Sequence, residues 1–114
     1  MISVAICEDS RPVQAHLEAL ITGFLPELSV DVFSSGEDLL ACLSREKIHF
    51  SVYLMDISLP GLTGIETAAA IRREDPYALL IYITDYKEYV YQVFETLPFR
   101  FIPKPVDEAV FQKV

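Results

Sequence analysis

Four apolar runs of this chain each close on a polar residue able to handle phosphate or a divalent metal. Ile2 to Cys7 runs into Glu8-Asp9, Ser51 to Met55 into Asp56, Leu79 to Ile83 into Thr84, and Phe99 to Pro103 into Lys104-Pro105. Phe50 to Met55, apolar on both faces apart from Ser51 and Tyr53, suits a central parallel strand covered by helices on both sides. If all four belong to one parallel sheet, their carboxyl ends lie side by side, where open α/β sheets place ligands. Three carboxylates, a hydroxyl and an ammonium then meet in one cleft.

Helical patterns fill the gaps. Pro12 sets a helix start, followed by Val13, Leu17, Leu20, Ile21 and Phe24 at helical spacing. Val30 to Phe33 reads as a short strand, and Ser34-Ser35-Gly36-Glu37 as a capping box opening a helix with Leu39, Leu40 and Leu43 inward. Leu59-Pro60-Gly61-Leu62 has turn chemistry. Thr63 to Glu66 is a second capping box, before a helix carrying Ile65, Ala68, Ala69 and Ile71 that Asp75-Pro76 stops. A fourth helix places Tyr89, Val90, Val93 and Phe94 on one stripe, and Asp107 to Val114 begins a fifth. Five strands alternating with five helices predict an α/β fold, a doubly wound five-stranded parallel sheet with right-handed crossovers.

With 114 residues, 52% of them hydrophobic, the chain makes one domain with a real core. No apolar run approaches the ~20 residues of a membrane span, and no basic segment precedes the first strand, so neither an anchor nor a signal peptide is expected. Cys7 and Cys42 lack metal-ligand spacing and read as core thiols of a reduced, cytoplasmic protein. The net charge of −8 should repel a nucleic-acid backbone, which places any DNA contact outside these residues. The last helical pattern stops after about two turns without a capping signal, which suggests a domain trimmed from a longer protein.

Each polar terminus admits a plain alternative. Asp9 or Ser10 could simply cap the first helix, Asp56 could form an Asx turn, and Thr84 could be an ordinary strand residue. Lys104 could be a guard against edge pairing. As a set, however, acid pair, acid, hydroxyl and lysine at the ends of strands one, three, four and five resemble the receiver domain of bacterial two-component response regulators. The resemblance spans essentially all of residues 1–114.

It implies a flavodoxin-like sheet of order 2-1-3-4-5 and a role for each terminus. Asp56 matches the phosphoacceptor, Glu8 and Asp9 the acidic pair that binds Mg²⁺, and Ser58 the position whose backbone carbonyl completes the metal shell. Gly64 falls on the glycine that usually begins the third helix. Thr84 matches the switch hydroxyl, Phe101 the switch aromatic, and Lys104 the phosphate-pairing lysine, joined to Pro105 by a bond that is cis in the family. Ile6-Cys7-Glu8-Asp9, Ile83 to Val90 and Phe101 to Pro105 look specifically like receivers attached to LytTR-type DNA-binding domains.

The chain departs from the family pattern at Asp85, where a small residue is usual, at Phe101, where tyrosine is common, and at Pro103. Proline cannot donate a ladder hydrogen bond and is tolerable only on an edge strand.

The expected function is a phosphorylation-activated switch rather than an enzyme. It accepts a phosphoryl group from a sensor histidine kinase and controls a C-terminal, LytTR-type output domain that regulates transcription. A homodimer is expected through the face of the fourth helix and fifth strand, where Tyr86 and Tyr91 lie off the apolar stripe. A pseudo-receiver acting only as a protein-interaction module would keep the fold and lose the acid, Asp, Thr and Lys set. A haloacid-dehalogenase-type phosphatase would need a D-x-D pattern after strand one, whereas Asp56-Ile57-Ser58 follows strand three and lacks the second acid.

Overall fold

In the computed structural model the alternating pattern becomes β1 (Ser3–Cys7), α1 (Arg11–Phe24), β2 (Ser29–Phe33), α2 (Gly36–Glu46), β3 (Val52–Asp56), α3 (Gly64–Glu74), β4 (Leu79–Thr84) and β5 (Arg100–Pro103). It describes residues 2–84 and 100–103, with Thr84 and 100–103 as backbone only. The expected fourth and fifth helices, Asp85, Lys104 and the Lys104–Pro105 bond lie outside those residues.

The strands form one sheet of order β2-β1-β3-β4-β5, the predicted order, with every neighbouring pair parallel. Cys7 stands beside Met55, Asp56 beside Ile83, and Thr84 beside Pro103. The carboxyl ends of β1, β3, β4 and β5 therefore share one rim. Pro103 sits on the edge strand β5, where its missing N–H interrupts no ladder on the outer side.

Strand periodicity sorts the core into two layers. Ala5, Cys7, Tyr53, Met55, Leu80 and Tyr82 join Leu39, Ala68 and Ile71 beneath α2 and α3. Val4, Ile6, Leu54, Ile81 and Ile83 join Leu17, Leu20 and Ile21 beneath α1. Such fully buried aliphatic side chains contribute about 1.5–3 kcal/mol each before chain entropy is counted. The sheet is thereby a rigid platform, and its loops are free to carry chemistry.

Local signals held unevenly. The Thr63 and Glu66 capping box forms with both its bonds: the Thr63 hydroxyl accepts from the Glu66 N–H (3.1 Å) and Glu66 accepts from the Thr63 N–H (3.0 Å). The box expected from Ser34 to Glu37 does not form. The N-cap is Ser35, one residue later, and its hydroxyl accepts from the Asp38 N–H (3.1 Å), which releases Glu37 for another partner. Phe24, placed inward by periodicity, is 36% exposed at the end of α1. In α3 it is Thr67 that is fully buried rather than Ala69, because its hydroxyl donates to the Thr63 carbonyl (2.8 Å) and so buries no unmet donor.

Candidate functional site

At the end of β1 the chain turns through Glu8 and Asp9 into α1. Ser10 is the N-cap of α1 by its backbone, as the plain alternative allowed, but its side chain makes no capping bond. Glu8 is instead folded inward, 1% exposed, with Oε2 accepting from the Ser10 N–H (3.1 Å). The Glu8 N–H donates to the Phe33 carbonyl at the end of β2 (3.0 Å). Gln14, in the first turn of α1, donates from Nε2 to the Glu8 carbonyl and to Ser34 Oγ (3.3 Å). These bonds fasten the acidic loop to the β2–α2 loop and leave Asp9 exposed beside buried Glu8.

Asp56 is the last residue of β3 and 5% exposed. Its Oδ1 accepts from the Ser58 N–H (3.3 Å), the Asx-turn bond that the plain alternative foresaw, so one carboxylate both shapes the turn and faces the rim. Beyond it, buried Ile57 and Leu59 alternate with exposed Ser58. The Ile57 carbonyl accepts from the N–H groups of Leu59 (3.0 Å) and Gly64 (2.8 Å), closing the loop at its base.

Glu8, Asp9 and Asp56 each offer a carboxylate oxygen, and these oxygens lie within 4.8 Å of one another. The set is oxygen-only, partly buried and open to solvent through Asp9. That is the donor chemistry of a hard divalent cation, and Mg²⁺ binds through one or two such carboxylates while keeping several waters. The negative potential is felt by a neighbour. Burial first, then the charges of Asp56, Glu8, Asp38 and Glu37, pushes the Cys7 thiol up to about 12. Cys7 is therefore a neutral core thiol, as its apolar run implied.

The structure thus brings together three of the predicted residues, with Ser58 in the adjoining loop. Thr84 ends β4 in register with Pro103, and Phe101 stands beside Tyr82; their side chains, like Lys104, lie outside what is described. Two contributors carried no sequence signal: Gln14, a polar residue in an amphipathic helix, and Glu37, whose expected capping role hid its real one. The Glu37 carboxylate accepts from the Leu62 N–H (3.1 Å), linking α2 to the loop that follows Asp56. Among the described residues no helix is long and apolar enough to cross a membrane.

Comparison with known proteins points to one family. The model of the response regulator receiver domain matches residues 4–114. The transcriptional regulatory protein YpdB of Escherichia coli K12 is 30% identical over 108 residues, covering 95% of this chain and 43% of YpdB. The sensory transduction protein LytT of Oceanobacillus iheyensis is 30% identical over 113 residues, covering 97% of this chain and 45% of LytT. The chain thus spans less than half of either relative. The crystal structure of the response regulatory domain of protein mrkE from Klebsiella pneumoniae superposes with a TM-score of 0.89 at 27% identity, covering 98% of this chain and 90% of that one.

Proposed function

The chain belongs to the family of response regulator receiver domains, and we propose on that footing that Asp56 is the residue that takes the phosphoryl group. The domain is the phosphorylation-activated receiver of a two-component response regulator. Receiver domains are regulatory phosphoacceptors, and the chemistry this one performs is on itself. The observation that carries the assignment is the meeting of Glu8, Asp9 and Asp56 at the carboxyl ends of β1 and β3.

In this reading a carboxylate oxygen of Asp56 attacks the phosphorus of a kinase phosphohistidine. The new O–P bond forms as the P–N bond breaks, and the imidazole leaves with the electron pair, giving 4-aspartylphosphate. Asp9, Asp56 and the Ser58 carbonyl would hold Mg²⁺, with Glu8 contributing through water. The chemistry supplied by a cation held there would be the offsetting of charge on the phosphoryl oxygens. Lys104 supplies an ammonium to the same oxygens, so the chain contributes positioning and electrostatics to its own phosphorylation and dephosphorylation.

Thr84 and Phe101 carry the response outward. Drawn to the phosphoryl group, Thr84 vacates space that Phe101 fills, a population shift biased by the modification. The output is a C-terminal, LytTR-type DNA-binding domain of a cytoplasmic transcription regulator; similarity to the transcriptional regulatory protein YpdB and the sensory transduction protein LytT, of which this chain covers less than half, supports that reading. Homodimerisation through the fourth helix and β5 is the transmitting event. In sedimentation, beryllofluoride should dimerise the parent and leave Phe101→Ala monomeric; equal dimerisation of both would remove Phe101 from the route.

Crowded carboxylates repel unless a cation sits among them, so Mg²⁺ should stabilise the folded state by mass action. At about a hundred times its Kd it contributes about 2.7 kcal/mol and raises Tm by roughly 10 °C. Asp9→Ala, at an exposed position, should fold normally and lose most of that rise. An unchanged Mg²⁺ response in this variant would move the metal elsewhere.

A further inference from the structure

We propose that Glu37 is a positioning residue for the phosphorylation site, holding the β3–α3 loop so that the Ser58 carbonyl stays at the metal position. The inference rests on the reading of Asp9, Asp56 and Ser58 given above and adds a residue from a separate element. Glu37 lies in the first turn of α2, yet its carboxylate is spent on the opposite loop. Oε2 accepts from the Leu62 N–H (3.1 Å), and a Cβ added to Gly61 would lie 2.2 Å from the same oxygen. Gly61 has φ +74°, a backbone state that favours glycine, and its missing Cβ leaves room for the Glu37 carboxylate.

The loop is anchored unequally. Its base is held by buried Ile57 and Leu59 and by the Ile57 carbonyl. Its tip, Pro60 and Gly61, faces solvent, and Glu37 ties it to α2. Ser58 lies within the base, between buried Ile57 and Leu59, itself exposed and with its N–H on Asp56, so the tie at Leu62 reaches it through Leu59 to Gly61. A carboxylate at position 37 also adds to the negative field that already reaches Cys7 from Asp56 and Glu8. A second acidic group near an acidic site is unfavourable by charge alone, so its hydrogen bond to the loop is the contribution that can offset it. Groups that bond a metal's ligands orient them; Glu37 acts one step further out, through the loop that carries Ser58.

The test compares Glu37→Ala and Glu37→Gln in the 114-residue chain. Mg²⁺ affinity is read by titration calorimetry, and exchange of the Leu62 amide hydrogen is read without metal. Glu37→Ala should weaken Mg²⁺ roughly tenfold, the lower end of what outer-shell substitutions produce, and speed Leu62 exchange, while the metal-free Tm changes little. Glu37→Gln keeps an oxygen that accepts from Leu62 and should restore both readouts, although it lacks the charge. Parent-like Mg²⁺ affinity in Glu37→Ala would overturn the proposal. So would a loss in Glu37→Gln as deep as in Glu37→Ala, since charge rather than the bond would then be responsible. If the parent itself binds no Mg²⁺, or binds it unchanged after Asp9→Ala, the reading of the site fails and this inference fails with it.

Discussion

Incubated with acetyl phosphate and Mg²⁺, the domain is expected to take up one acid-stable, base-labile phosphoryl group, and the Asp56→Asn variant to take up none. The substitution is close to isosteric. An amide Oδ1 can still accept from the Ser58 N–H, and the near-complete burial of the group is tolerated because the amide carries no charge. What disappears is the carboxylate oxygen able to form an O–P bond. Because the loss is chemical, it should be complete rather than graded, and it should occur in a protein whose metal-free Tm is preserved. The small donor removes any dependence on an unidentified kinase. Labelling that persists in Asp56→Asn would place the acceptor elsewhere. Continuous release of phosphate from small esters would instead revive the phosphatase alternative.

The strand-end logic made this site legible because it needs only strand polarity and order. Once the apolar runs of β1 and β3 are parallel neighbours, Glu8-Asp9 and Asp56 must meet, whatever the loops do. The capping box at Thr63 and Glu66 was legible for a similar reason, since both its bonds are made within four residues. The start of α2 was not. Two adjacent serines and two adjacent acids, Glu37-Asp38, leave two registers open, and local chemistry scores them alike. The choice falls to tertiary contacts: Glu37 is drawn to Leu62, and Gly36 lies so close to α3 that a Cβ there would be 2.0 Å from Thr67 Oγ1. Phe24 was misplaced because periodicity marks an apolar stripe without saying where the sheet beneath it ends.

Gly64 gives the second large effect, and its reason became visible only in three dimensions. The family resemblance marked the position; the coordinates say what it is for. A Cβ at Gly64 would lie 1.9 Å from the Asp56 carbonyl oxygen, 2.7 Å from its carbonyl carbon and 2.8 Å from Ile57 Cα. All three are backbone atoms, so no rotamer change can relieve the clash. The same close approach produces the Gly64 N–H bond to the Ile57 carbonyl (2.8 Å) that closes the loop.

Gly64→Ala must therefore push the start of α3 away from β3 or distort the backbone of Asp56 itself, at about 2–4 kcal/mol and roughly 10–20 °C in Tm. Gly23 supplies the control, because nothing lies within 4 Å of a Cβ added there, in the last turn of α1. Gly23→Ala should be neutral or stabilise by about 0.5–1 kcal/mol. The same substitution thus destabilises at one glycine and not at the other, which separates close approach from a general intolerance of added methyl groups. Labelling adds a second discrimination. At a temperature where Gly64→Ala is still folded, its phosphorylation by acetyl phosphate should be slowed beyond any unfolded fraction, because the displaced atoms belong to the nucleophile's own residue. A Gly64→Ala domain with parental Tm and parental labelling would mean that α3 does not approach Asp56 as closely as the structure places it.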